Sequence, residues 1–119
     1  MRLMVVDDSS VMRRAIQRYA SSLDLEVVGT AKDGEEGLVL FRKQTPDVVT
    51  LDITMPKMDG LSTLKAMLAE HPGTRVLVVT ALSDSATGIQ ALRLGAKGFL
   101  NKPFTESELT EELKHVMDS

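Results

Sequence analysis

At 119 residues, 43% hydrophobic and 26% charged, the chain is sized for one globular domain with a core of its own. A net charge of −3 argues against bulk affinity for nucleic acid or an anionic membrane surface, and one Tyr, three Phe and no Trp leave little aromatic surface for stacking bases. The lack of cysteine excludes disulfides, thiolate metal sites and a thiol nucleophile. The first apolar run is too short for a signal-peptide core, and none reaches membrane-spanning length.

The first strand candidate, Leu3–Val6, runs directly into the acid pair Asp7-Asp8. Ser10–Ser21 then reads as a helix with Val11, Ala15, Ile16 and Tyr19 on one face. A second strand, Glu26–Thr30, leads to Asp33 and Glu36, a D-x-x-E capping box ahead of a helix over Gly37–Gln44. The third strand, Asp47–Leu51, is strongly apolar and ends in a lone acid, Asp52, shortly before a Met55-Pro56 turn. Asp59-Gly60 precedes a helix with Leu61, Leu64 and Leu68 at helical spacing. The fourth strand, Val76–Thr80, is followed by a helix over Asp84–Leu94, with Ser83 as its cap and Gly95 as its stop. A short fifth strand, Gly98–Leu100, runs into Asn101-Lys102-Pro103. Thr105 and Glu108 make another capping box for a last helix with Leu109, Leu113 and Val116 on its apolar side.

This strand–helix alternation predicts an α/β fold, a five-stranded parallel sheet with right-handed crossovers and helices on both faces. Ligands of such sheets bind beyond the carboxyl ends of the strands. Those ends carry Asp7, Asp8, Asp52, Thr80 and Lys102. Two carboxylates about 4 Å apart repel by roughly 4 kcal/mol at an effective dielectric of 20. Three acids and one lysine remain net negative, and a hard divalent cation resolves the repulsion. An oxygen-only ligand set with room for water and phosphate describes Mg²⁺ better than Zn²⁺ or Ca²⁺. Singly, each group has a bland reading. Asp7 or Asp8 can cap the first helix, Thr80 can be a plain strand residue, and Lys102 can be a solvated surface cation. Met55, Met58 and Met67 read as core filler, and His71 and His115 as solvated side chains. The coincidence of four strand ends that suit one chemistry carries the functional reading.

The chain resembles the receiver domains of bacterial response regulators over essentially its whole length. The segments that carry the likeness are "VVDDS" at 5–9, "LDITMPKMDG" at 51–60, "VVTAL" at 78–82 and "GFLNKPF" at 98–104. "DITMP" and "DDSSVMRR" look most like chemotaxis regulators of the CheY type. The resemblance implies a doubly wound (βα)5 domain over residues 1–119, with flavodoxin-like strand order 2-1-3-4-5 and no output domain. It implies Asp52 as phosphoryl acceptor, Mg²⁺ held by Asp8, Asp7, Asp52 and the Thr54 carbonyl, and Lys102 and Thr80 as contacts to the phosphoryl group. Asp7 would assist through water. Thr80 and Phe99 would form the switch, and Thr54 and Leu82 would tune hydrolysis. Leu82, being apolar, cannot position water, which implies a long-lived phosphoform. The Lys102–Pro103 bond is expected to be cis. The implied partners are a sensor histidine kinase and a downstream protein, such as a flagellar motor switch, on the face of the fourth helix, fifth strand and fifth helix. The implied setting is a monomer in the cytoplasm, with no nucleic acid or membrane partner and no activity except on its own phosphoryl group.

Other roles for such a switch are a phosphorelay step or a phosphate sink. A Mg²⁺-dependent phosphohydrolase with an Asp nucleophile is a separate class, but its D-x-D-x-T motif lacks a second acid at Thr54, and the chain is short for a cap. A flavin binder needs a hydroxyl- and glycine-rich phosphate loop where this chain has Asp7-Asp8.

Overall fold

The computed structural model describes residues 1–54, 60–81 and 85–119. In chain order the elements are β1 (Arg2–Val6), α1 (Ser10–Ala20), β2 (Glu26–Ala31), α2 (Gly34–Gln44), β3 (Val48–Asp52), α3 (Gly60–Glu70), β4 (Arg75–Ala81), α4 (Ser85–Arg93), β5 (Gly98–Lys102) and α5 (Glu106–Met117). The five strands are parallel, in the order β2-β1-β3-β4-β5. All five strand–helix units stand where the hydrophobic pattern predicts them, with β2, β3 and β4 each running one residue further towards the rim and β5 two. Among the described residues no helix is long and apolar enough to cross a membrane.

Strand alternation divides the core into two layers. On one face, Met4, Val6, Val49, Leu51, Val76 and Val78 meet Leu38 and Phe41 of α2, Leu64 and Met67 of α3, and Ala91 of α4. On the other, Leu3, Val5, Val48, Leu77 and Leu100 meet Ile16 and Ala20 of α1 and Leu109, Leu113 and Val116 of α5. Each of the large side chains contributes roughly 1.5–3 kcal/mol by leaving water. The same parity decides which rim side chains meet. Asp7, Asp52 and Lys102 continue the rows Leu3-Val5, Val48-Thr50 and Gly98-Leu100, and so belong to the α1/α5 face. Thr80, Phe99 and Asn101 continue rows on the α2–α3–α4 face.

Several local expectations need correction. Val11 is 73% exposed and does not join the inward stripe of α1. That stripe is Met12, Ile16, Tyr19 and Ala20, spaced four, seven and eight residues apart, and it leaves Val11 in the first turn over the rim. Helix α2 begins at Gly34, because Asp33 is already its cap, with its carboxylate accepting from the Glu36 N–H. The reciprocal half of that box goes elsewhere: Glu36 Oε1 faces the Lys32 N–H at 3.4 Å. The Thr105–Glu108 box is complete in both directions. His71 is exposed, as expected, and its ring also packs on Phe41 at 5.4 Å between centroids. Met67 is core, while Met55, Met58, Ser83 and Asp84 lie outside the described residues. Gly95, at φ +115°, terminates α4 as its sequence position predicts: its N–H donates to Leu92 and that of Ala96 to Ala91.

Candidate functional site

The strand order reverses between β1 and β3, and the crevice there is where an open parallel sheet binds ligands. Val6 and Leu51 are register partners at the ends of these strands, so the next residues, Asp7 and Asp52, fall side by side. Both are almost completely buried, at 1% and 2% exposure. Lys102, at the end of β5, reaches past β4 and places Nζ 2.9 Å from Oδ2 of each. The Lys102–Pro103 bond is cis, as the resemblance led one to expect.

Each carboxylate is fixed by the chain that follows it. Asp7 Oδ1 accepts from the Ser9 N–H at 2.9 Å. Ser9 in turn caps α1 by accepting from the Met12 N–H, so neither Asp7 nor Asp8 serves as the cap. Arg13 donates to the Asp7 carbonyl at 2.6 Å and ties the first turn of α1 to the rim. Asp52 Oδ1 accepts from both the N–H and the hydroxyl of Thr54, at 2.9 and 2.7 Å, while Oδ2 accepts from Lys102.

The acids remain under-neutralised. Oxygens of Asp7, Asp8 and Asp52 lie within 4.8 Å of one another. Asp7 Oδ2 is buried and, among the described residues, has no well-aligned hydrogen-bond donor, although the Lys102 ammonium it shares with Asp52 stands 2.9 Å away. Burial pushes the Asp7 carboxyl above the usual carboxylate range; the Ser9 N–H and Lys102 pull it back, the charge of Asp52 adds to the rise, and it stays raised. Burial works against the Lys102 ammonium too, but the two carboxylates outweigh it and its pKa is raised, so it is a cation at any physiological pH. An all-oxygen set that stays negative beside one lysine shared by two buried carboxylates fits a hard divalent cation.

The response regulator receiver domain family matches residues 3–114. The chain belongs to that family. This receiver domain is 36% identical over 115 residues to the chemotaxis protein CheY of Thermotoga maritima, covering 97% of this chain and 96% of that one. It is 38% identical over 116 residues to the protein CcdB of Bacillus subtilis, covering 98% and 97%. Among solved structures, the REC domain of AraT, a response regulator from Geobacillus stearothermophilus, superposes with a TM-score of 0.91 at 30% identity, covering 98% of this chain and 92% of that one.

Of the residues singled out in the sequence, Asp7, Asp8, Asp52 and Lys102 come together in one pocket of the receiver domain. Thr54 stands beside them, exposed, with its hydroxyl on Asp52. Thr80 is fully buried near the end of β4, with its hydroxyl oxygen accepting from Asn101. Phe99 is half-buried on β5, against Gly88 of α4. Leu82 lies outside the described residues. Sequence reasoning assigned no role to Ser9, Arg13 or Asn101. Ser9 was legible as a helix-cap residue type. The other two depend on where a long or branched polar side chain turns, which spacing does not encode.

Proposed function

We propose that this receiver domain is a phospho-aspartate switch in a two-component system, with Asp52 as acceptor and a sensor histidine kinase as donor. The observation that carries the reading is Lys102 held at 2.9 Å from both Asp52 and Asp7, beside a third acid. Mg²⁺, held by Asp8, Asp52 and the Thr54 carbonyl with Asp7 assisting, would supply positive charge to the transferred phosphoryl oxygens.

The chain's own residues do the rest. Thr54 and Lys102 orient the Asp52 carboxylate, a weak nucleophile that gains from positioning. One Asp52 oxygen bonds to phosphorus as the P–N bond of a phosphohistidine breaks, its electron pair returning to the imidazole. The Lys102 ammonium lies where charge gathers on the phosphoryl oxygens. Hydrolysis reverses the modification: a water oxygen bonds to phosphorus, the Asp52–phosphorus bond breaks, and the carboxylate and inorganic phosphate are released with one proton. Thr54 and Leu82 hold the two positions that tune this hydrolysis in the family, and an apolar Leu82, which offers no hydrogen bond to water, favours a slow decay. Replacement of Leu82 by Gln should shorten the phosphoform's lifetime.

The signal is a change of shape. The phosphoryl group brings about −1.5 to −2 charges and three strong acceptors. Thr80 turns to donate to it, and Phe99 repacks beneath α4. The α4–β5–α5 face then changes for a downstream protein. That face carries exposed Ile89 and Leu92 and a groove lined by Leu92, Lys97, Gly98, Phe99, Glu112 and His115. The chemotaxis relatives favour a flagellar motor switch as this partner, and a histidine kinase donor favours a cytoplasmic setting. The second reading is a relay or sink role, since CcdB, a relative that bears no chemotaxis name, matches as well as the chemotaxis proteins do.

The test is titration with beryllofluoride and Mg²⁺, followed by backbone amide shifts, alongside labelling by acetyl phosphate. Wild type should respond in both, and Asp52→Asn in neither. Labelling that persists in Asp52→Asn would end the proposal.

A further inference from the structure

The last two residues of β5 serve opposite sides of the sheet. Lys102 turns to the acids on the α1/α5 face. Asn101, on the same face of the strand as Phe99, turns to β4. It is the direct register partner of Thr80, and its Nδ2 donates to Thr80 Oγ1 at 2.9 Å and to the Ala81 carbonyl at 3.3 Å. The Ala81 carbonyl can only accept, so the amide must present nitrogen here, and Thr80 Oγ1 must act as acceptor. Thr80 is 0% exposed, so no bulk water replaces this bond if it breaks. Asn is disfavoured in strands, and β5 gains nothing from its burial as an apolar residue would.

We propose that Asn101 is a latch on Thr80: its amide holds the threonine hydroxyl oxygen on the α2–α3–α4 face in the resting domain, and activation has to break that bond. The inference rests on the phospho-aspartate reading and adds a positioning residue to it. Alternation places the Asp52 side chain on the other face, so a Thr80 hydroxyl that swings to a phosphoryl group there leaves Asn101 behind. A contact present in one state and absent from the other shifts the balance between them by its own strength. Asn101 therefore favours the resting state and taxes every ligand that needs the activated one. Its place in the Phe99 row of β5, directly beside Thr80, puts the latch on the route by which the site reaches the α4–β5 face.

The experiment is a double-mutant cycle read by the dissociation constant of beryllofluoride at saturating Mg²⁺, measured calorimetrically, with thermal unfolding to verify the fold of each variant. Asn101→Ala and the near-isosteric Asn101→Leu should both bind beryllofluoride more tightly, by about two- to tenfold, the range of one net neutral hydrogen bond. In a Thr80→Ala background the same replacements should change nothing, which a general loosening of β5 would not reproduce. Affinity that is unchanged or weakened in both variants, or that rises equally without the Thr80 hydroxyl, overturns the latch. If wild type takes up no beryllofluoride, or Asp52→Asn takes it up equally, the acceptor assignment falls and the latch with it. Normal uptake by wild type with indifferent Asn101 variants removes the latch alone.

Discussion

Lys102 donates to Asp52 Oδ2 at 2.9 Å from two strands away, passing over the end of β4. The same ammonium stands 2.9 Å from Asp7 Oδ2, so one cation serves two buried acids. Its raised pKa means that the pairing outweighs the cost of burial, and stability from it is present at neutral pH and lost only as pH rises through that raised value. Lys102→Ala should lower the stability of the metal-free domain by about 1–3 kcal/mol, the scale of a charge-assisted hydrogen bond. Acetyl phosphate labelling should fall by about 10²-fold or more, as for loss of one electrostatic contact to a transition state. Urea denaturation and initial labelling rates measure the two. Unchanged labelling would remove Lys102 from the chemistry.

Asp7 predicts a trade of stability for function. Its carboxyl pKa is raised by burial, so the folded state holds its proton more tightly than the unfolded chain does. Stability linked to this group is therefore greatest in acid, and falls as pH rises from the ordinary carboxylate value through the raised one. Asp7→Asn removes the charge yet keeps an acceptor for the Ser9 N–H. At pH 7 without Mg²⁺ it should melt higher than wild type. Wild type should gain stability with added Mg²⁺, about 2.7 kcal/mol at one hundred times the dissociation constant, and lose it to a chelator. Asp7→Asn should gain much less. Melting curves of both proteins with Mg²⁺ and with EDTA decide it; equal Mg²⁺ responses would exclude Asp7 from the ion's surroundings.

The fold was legible because each strand is a short buried run and each helix an amphipathic one, and alternation of the two admits few topologies. The acid pocket was legible for the same reason: Asp7, Asp52 and Lys102 sit at strand ends, and parity sends them to one face. What escaped were contacts that depend on side-chain direction near a terminus. Val11 lies within a helical period yet over the rim, and the Asp33–Glu36 box closes on one side only. Asn101 stands between Leu100 and Lys102, and only its register with Thr80 gives it a role.

Thr45 caps α2 in the left-handed region, at φ 41° and ψ 62°, and donates its N–H to the Phe41 carbonyl. A β-branched residue there is strained, on the order of 1–2 kcal/mol. Thr45→Gly relieves that strain but gives the unfolded chain more freedom. The expected net result is a gain of about 1 kcal/mol, read as a higher urea midpoint with an unchanged slope. A lower midpoint would mean that the Thr45 side chain contributes more than its backbone costs.

Gly88 of α4 lies against Phe99 so closely that a Cβ on it would stand 2.7 Å from the ring's Cδ2 and 3.0 Å from Cε2. An exposed helix glycine replaced by alanine normally gains about 1 kcal/mol. Here the methyl must push the ring or the helix, at an overpacking cost of about 1–3 kcal/mol. Gly88→Ala should therefore lose stability or leave it level, and should displace Phe99 on the α4–β5 face even without phosphoryl transfer. Gly73→Ala is the control, because among the described residues nothing lies within 4 Å of its added Cβ, and it should be neutral or stabilising. Aromatic side-chain shifts of Phe99, together with urea midpoints for the two variants, provide the check. If Gly88→Ala stabilises as much as Gly73→Ala while the Phe99 resonances stay in place, then the ring does not depend on this glycine for its seat, and α4 cannot be steering it.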